Sequence, residues 1–240
     1  MQVGIMMPAY NTGEYILQAI RSIKNQTYNN WELIICDDGS TDDTLKIAQK
    51  EAEDDNRIFV LQHSTNLGCP TTRNTCLSRI LNNPKNEIIA RLDSDDVDDP
   101  TRIEKSVKFL QNNENFQLVT TKFSWLLPEN KKKQMLQICG MDKKKFLGNK
   151  GGRPCSASVI AWSKVYKKVG GFNSKLLAGS DGEWMFRCLW HNFNWGFIDE
   201  DLYSQRRHPF QISKRLNHQQ RQAHDQAHKK YGLDSSKKRI

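Results

Sequence analysis

The chain has 240 residues, 37% of them apolar, with 36 lysines and arginines against 27 aspartates and glutamates for a formal net charge of +9. That length suits one large single-core domain, and dense apolar runs such as Trp31–Cys36 and Glu87–Leu92 exclude wholesale disorder. No stretch approaches the ~18 apolar residues of a membrane span, and scattered cysteines without a CxxC pair exclude a disulfide or zinc framework.

In chain order, Val3–Met7 reads as a strand, followed by a helix with Ile16, Leu17, Ile20 and Ile23 on one face. Strand Trp31–Cys36, helix Asp42–Glu53, strand Ile58–Leu61 and helix Thr71–Leu81 come next. Strand Ile88–Leu92, helix Pro100–Gln111 and strand Gln117–Thr121 complete the regular half. Strands alternating with amphipathic helices predict an α/β fold, with a mostly parallel central sheet and helices on both faces. After Ser124 the regularity breaks. Pro128–Gly152 is rich in lysine, asparagine and glycine, and is expected to be a loop that closes over a ligand. A strand at Ser156–Trp162, a helix from Ser180 to His191, a strand at Trp195–Ile198 and a polar helix from Ser213 to Lys230 follow.

The positive charge gathers in short runs: Lys131–Lys133, Lys143–Lys145, Arg206–Arg207, Lys229–Lys230 and Lys237–Arg239. These read as solvated faces and a basic tail, with attraction to an anionic membrane surface as the functional alternative. There is no RNA-binding sheet pattern and no zinc-finger spacing, so nucleic acid is not an expected partner. The N-terminus lacks a basic and apolar leader. With reduced thiols this predicts a cytoplasmic protein, on which the Asn25-Gln26-Thr27 sequon carries no weight.

In a parallel sheet, ligands bind beyond the carboxyl ends of the strands. The first strand ends in Pro8-Ala9-Tyr10-Asn11, the second in Asp37-Asp38-Gly39-Ser40-Thr41-Asp42-Asp43, and the fourth in Asp93-Ser94-Asp95-Asp96-Val97-Asp98-Asp99-Pro100. Part of this acidity has a structural reading: Asp99 before Pro100 suits a helix N-cap with proline at the first helical position, and Asp98 lies near the same positive end. Likewise Ser40 or Thr41 caps the second helix and Asp42 and Asp43 favour its first turn. Asp93, Asp95 and Asp96 are left without such a role, and a hard divalent cation with oxygen ligands is the simplest neutraliser. Asp37 or Asp38 suits a base N–H or a ribose hydroxyl. Neither GxxxxGK[ST] nor GxGxxG occurs, so a bound diphosphate would be neutralised by a cation and by side chains such as Arg73.

Pro8-x-Tyr10-Asn11, then Trp31 through Asp42, then Asn66-x-Gly68 with Arg73-Asn74, then Asp93-Ser94-Asp95-Asp96 together resemble glycosyltransferase family 2. The resemblance is close over residues 1–125 and looser over 155–213. It implies a GT-A type, Rossmann-like fold and an inverting transferase acting on a nucleotide-diphosphate sugar, with a UDP-sugar as the expected donor. Its acceptor would be a glycan or a lipid-linked saccharide. The chain then reads as a single domain with a nucleotide-sugar half (1–125), an irregular acceptor and catalytic half (126–212), and a basic C-terminal helix and tail (213–240). The resemblance places Pro8, Tyr10 and Asn11 in the nucleotide pocket, and Asp37 on the uracil N–H with Asp38, Gly39 and Asn66 beside it. Arg73 would face the diphosphate. Asp93 and Asp95 would form the DxD pair for Mn2+ or Mg2+, Asp95 the more direct ligand and Asp93, with Ser94, nearer the ribose. Tyr203-x-x-Arg206-Arg207-His208 resembles the family's late histidine block, which implies His208 as third metal ligand. Ser180-Asp181-Gly182-Glu183-Trp184 stands where many members carry Glu-Asp, so Asp181 is the expected catalytic base and Glu183 its substitute.

The chemistry asks for these parts. Displacing a nucleoside diphosphate with inversion needs a cation against the departing phosphate and one carboxylate to deprotonate the acceptor hydroxyl. Asp181 also suits a helix N-cap, and the two roles can coexist. The imidazoles of His224 and His228 fall four apart on a polar helix and read as solvent-exposed rather than as a zinc pair. Trp162, Trp184, Trp190 and Trp195 read as core, with stacking on an acceptor sugar as the alternative. The rival functions are a nucleotidyltransferase, for which Pro8–Gly13 lacks a triphosphate loop, and a sugar-nucleotide or glycan-binding module without turnover.

Overall fold

The computed structural model describes residues 1–126, 134–136, 156–209, 211 and 216–231, with the backbone alone at 134–136, 217, 224 and 228. Its elements are β1 (Gln2–Ala9), α1 (Ile16–Lys24), β2 (Trp31–Asp37), α2 (Thr44–Asp54), β3 (Ile58–Gln62), α3 (Cys69–Leu81) and β4 (Asn86–Arg91). Then come β5 (Val97–Asp98), α4 (Arg102–Asn112), β6 (Leu118–Leu126), β7 (Gln134–Leu136), β8 (Ile160–Trp162), α5 (Ser163–Val169), α6 (Ser180–Trp190), β9 (Trp195–Arg206) and α7 (Asn217–Lys230). One sheet runs β3-β2-β1-β4-β8-β6-β9-β5, with β7 on β6. The β1, β2, β3 and β4 pairings and the β6–β9 pairing are parallel, while β8, β5 and β7 run antiparallel to their neighbours.

Alternation along the central strands builds two cores, because successive side chains leave a strand on opposite faces. Val3, Ile5 and Met7 of β1, with Leu33 and Ile35 of β2, pack on Ile16, Ile20 and Ile23 of α1 and on Ile103 and Val107 of α4. Met6, Ile34 and Ile89 face the other way, onto Leu77 and Ile80 of α3 and Trp184, Met185 and Phe186 of α6. Every residue of β2 is buried, so its run does not alternate; the one charge inside it, Glu32, accepts from Asn83 and Asn86, and Asp37 closes it. Gly4 admits α3 against β1: a Cβ there would meet Ile80 Cγ2 at 2.4 Å.

The α/β class and the strand-helix alternation are as expected, and the departures are local. The helix expected at Pro100 starts at Arg102. Asp99 Oδ1 accepts from the Thr101 N–H at 2.9 Å and its hydroxyl at 2.6 Å, a turn that precedes the helix. In the same way Asp42 Oδ1 takes the Thr44 N–H at 3.0 Å, and α2 begins at Thr44. Of Ser156–Trp162 only Ile160–Trp162 is strand, after a 3-10 turn at Ser156–Ser158. Helix α5, absent from the sequence reading, buries Val165, Tyr166 and Val169 and stops at Gly170, whose φ is 83°. Strands β6 and β9 outrun their expected ends because they pair with each other from Leu118↔Trp195 to Leu126↔Arg206. Trp184 is core and Trp190 is exposed. The proposed closing loop, apart from β7, lies outside the described residues, as do most basic runs and the side chains of His224 and His228. No helix among the described residues is long and apolar enough to cross a membrane.

Candidate active site

The turn after β4 spreads the acidic run onto different partners. Asp93 carbonyl accepts the Asp96 N–H at 3.0 Å, so the chain reverses between Asp93 and Asp95. Asp95 Oδ2 lies 2.9 Å from His208 Nε2, which reaches it from beyond the end of β9. The His208 ring packs 4.9 Å from that of Tyr15, and its Nδ1 is buried with no partner among the described residues. Arg206 Nε donates to the Asp95 carbonyl at 2.9 Å. Asp96, which sequence reasoning grouped with Asp93 and Asp95 as carboxylates for a cation to neutralise, is instead a cross-link: it accepts the Tyr203 hydroxyl at 2.6 Å and the Arg206 N–H at 2.8 Å. Burial, with Asp95 and Asp93 adding to it, pushes the Asp96 carboxyl well above the usual range. Ser94 is buried and accepts from Thr12 Oγ1 at 3.1 Å, which ties the turn to the end of β1.

A second cluster lies beside the first. Arg73, on α3, donates from Nη2 to Asp93 Oδ1 at 2.8 Å and from Nη1 to Asp181 Oδ1 at 2.6 Å. Arg91, the last residue of β4, donates to the same Asp181 oxygen. Both guanidiniums sit near the Phe172 ring, 5.6 and 5.1 Å from its centroid. Burial would lift the Asp181 carboxyl, but Arg73 and Arg91 outweigh it and hold it below the ordinary carboxylate value. Asp181 therefore stands in the first turn of α6 without a side-chain cap bond, its carboxylate turned to the arginines. Glu183 is not brought to this cluster. Its carboxylate takes Arg187 Nε at 2.9 Å and the Tyr231 hydroxyl at 2.9 Å, and it borders an open groove of about 630 Å3 that neither Asp93 nor Asp95 lines.

At the end of β2, Asp37 Oδ2 accepts the Ser40 N–H at 3.0 Å, while its Oδ1 is buried and meets no donor among the described residues. Asp38 points elsewhere. It accepts from the Leu67 N–H at 3.0 Å, the Gly68 N–H at 2.9 Å and His63 Nδ1 at 2.7 Å, so it organises the loop before α3 rather than opening on the cleft. Gly39, at φ 71°, lets that loop close in, since a Cβ would meet the Thr65 backbone at 2.8 Å. Asn66 is exposed and its Oδ1 accepts the Gly68 N–H at 3.1 Å. Tyr10 is exposed at the lip, Pro8 is buried within β1 opposite Cys36, and Asn11, at φ 49°, accepts the Thr41 N–H at 2.9 Å.

Arg91 and His63 are residues that sequence reasoning missed, while Tyr203 and Arg206 entered it only as part of the late histidine block, without the contacts they make to Asp96 and Asp95. Arg91 did carry a signal, a lone charge closing an apolar strand one residue pair ahead of the acidic turn.

With this geometry the chain can be set beside known proteins. The family model described as Glycosyl transferase family 2 matches residues 4–170. The chain belongs to glycosyltransferase family 2. It is 34% identical over 174 residues to EpsE of Bacillus subtilis, a protein assigned as a glycosyltransferase, covering 72% of this chain and 60% of EpsE. It is 39% identical over 103 residues to chondroitin synthase of Escherichia coli, covering 42% of this chain and 14% of that protein. The structure of S. aureus TarS 1–349 in complex with UDP-GlcNAc superposes with a TM-score of 0.73 at 19% identity, over 89% of this chain and 61% of the TarS chain. A mannosyltransferase from Pyrobaculum calidifontis, in complex with GDP-Man and Mn2+, gives 0.68 at 16% identity over 99% of this chain and 65% of that one. The family member described here thus has the GT-A fold, and it spans 60% of the length of EpsE and 61% of the TarS chain.

Family 2 enzymes generally use a divalent cation. Asp95 and His208 supply a carboxylate oxygen and an imidazole nitrogen that suit Mn2+ or Mg2+. The expected set of Asp93, Asp95 and His208 is not gathered as a unit, because Arg73 holds Asp93. Among the described residues no group of at least three histidine, cysteine, aspartate or glutamate side chains is close enough to hold a metal on its own. The donors present fit a cation that completes its shell with phosphate oxygens and water, as Mg2+ commonly does.

Proposed function

We propose that this chain transfers a hexosyl or N-acetylhexosaminyl group, with inversion and with a divalent cation, from a UDP-sugar to a hydroxyl of a glycan or glycoconjugate. The observation that carries the reading is the meeting of Asp95 with His208, 2.9 Å apart, beside Arg73, which joins Asp93 to Asp181. The buried, unpartnered Oδ1 of Asp37 supports a base N–H as its missing partner. The UDP-GlcNAc and UDP complexes of TarS favour a uracil donor over the guanine donor of the Pyrobaculum enzyme.

In this reading Asp95 and His208 would hold the cation, with Asp93 alongside, and its chemistry when bound would be charge neutralisation of the departing diphosphate. Arg73 adds a guanidinium on the same side. Asp181 takes the proton of the acceptor hydroxyl as that hydroxyl's oxygen bonds to the anomeric carbon. The carbon–phosphate-oxygen bond breaks, and its electron pair leaves with UDP. Held ionised by the two arginines, Asp181 is in the protonation state a base requires.

The test is release of UDP from a panel of UDP-sugars, with and without manganese. Manganese-dependent release, lost in D95A and in D181A, is the expected result. Donor binding without release of UDP in any acceptor mixture would instead mark a binding module, and release of pyrophosphate from a nucleoside triphosphate would mark a nucleotidyltransferase.

A further inference from the structure

We infer that Arg91 is a positioning residue, which fixes one oxygen of Asp181 so that the other is presented to the acceptor hydroxyl, and which keeps its hold when a donor diphosphate draws on Arg73. The inference rests on the reading of Asp181 as base. Its grounds are geometric.

Arg73 and Arg91 both donate to Asp181 Oδ1, and no described residue donates to Oδ2. The Asp181 side chain is 24% exposed, so its carboxylate is reachable from outside, and Oδ2 is the oxygen that no described donor occupies. The two arginines differ in what else binds them. Arg73 also holds Asp93, on the side where a diphosphate would lie. The Arg91 side chain is only 1% exposed, and its Nε and Nη1 are buried without partners among the described residues. Asp181 is therefore its sole described anion, and a buried guanidinium that lost this partner would be costly. Arg91 also comes from a rigid place. It ends β4, its backbone pairs with Met6 of β1, and its carbonyl accepts Arg102 Nη2 at 2.9 Å. A diphosphate can thus compete for Arg73 without releasing the base, because Arg91 cannot follow it.

The groups facing Asp181 are Arg73 and Cys69 from α3, Arg91 from β4 with Asp93 beyond Arg73, and Tyr166 from α5. Among these the arginines alone favour the ionised form, so removing Arg91 is expected to raise the pH at which Asp181 titrates.

The experiment follows the Asp181 carboxyl by 13C NMR in the full chain, its signal assigned by its loss in D181N. In R91Q its midpoint is expected to rise by about one pH unit, the low end of what an adjacent guanidinium does to a carboxylate. In R91K, which keeps the charge without the planar fork, the midpoint is expected to fall between. With UDP and magnesium present, the wild-type midpoint should stay low and the R91Q midpoint should rise further. On the rate of UDP release, R91Q is expected to cost about 100-fold in kcat with donor KM little changed, as for a misplaced group. An unmoved Asp181 midpoint in R91Q overturns the inference, as does one in R91K should R91Q fail to fold. D181N retaining wild-type UDP release would overturn the base assignment instead, whichever way Arg91 acts.

Discussion

The hydroxyl of Tyr203 donates to the buried carboxylate of Asp96 at 2.6 Å, joining β9 to the acidic turn after β4. Two segments 107 positions apart are fixed to each other at that point, and they carry Asp95 and His208. Tyr203→Phe leaves the ring in the core and removes the donor alone. It should cost about 1–3 kcal/mol of stability, the range for leaving one buried acceptor unsatisfied. Urea denaturation checks this, and weaker manganese-dependent UDP binding by calorimetry should accompany it.

The roles of Asp181 and Glu183 separate cleanly by mutation. Asp181→Ala should retain donor binding and lose about 100- to 10,000-fold in turnover, the range of a general base. Glu183→Ala removes the partner of Arg187 and Tyr231, and should instead lower stability by about 1–3 kcal/mol with turnover per folded molecule preserved. Initial rates and denaturant midpoints on both variants decide the matter. A Glu183 variant that is stable but inactive would reverse the assignment.

Asp95→Ala and His208→Ala should each remove the manganese dependence of UDP binding while leaving the fold intact. Isothermal titration with UDP, with and without manganese, reads this directly. Equal UDP affinity in wild type and both variants at saturating manganese would count against a cation at this place.

Asp98 gives a pH signature. Burial pushes its carboxyl up to about 6, against the pull of Arg102, whose Nη2 lies 2.5 Å away. Between about pH 4 and 6 the native state holds a proton that the unfolded chain has released, so the stability that Asp98 contributes is greatest below about pH 4 and is lost as pH rises through about 6. Asp98→Asn removes this slope. Stability of wild type relative to the variant should fall by roughly 2–3 kcal/mol between pH 4 and 7, measured as urea midpoints across that range.

Much of the first half was legible in the sequence because its apolar runs and helical periodicities report burial directly. The residues proposed to hold a cation were named through resemblance, which aligns positions without saying how they meet. What escaped was pairing at a distance. Nothing in the residues around Asp38 says that its carboxylate is filled by two backbone N–H groups and a histidine 25 positions on. Asp96 and Asp93 look alike in the acidic run, yet one is a buried cross-link and the other faces Arg73. Helix α5 was missed because Ser163–Val169 is too short for periodicity to register, and the length of β9 because its polar residues are held by β6 rather than by their own apolarity.

Asp181, the proposed base, stands in α6, and His208 follows the end of β9; both lie past residue 170, where the family match ends. Strand β9 bulges twice against β6 and then pairs without a break from Phe123↔Tyr203 to Leu126↔Arg206, with β5 on its other side at Tyr203 and Ser204, so a residue inserted or deleted in that last stretch would turn alternate side chains over and carry His208 away from Asp95. From Tyr203 to His208 the chain therefore tolerates a change of side chain more readily than a change of length.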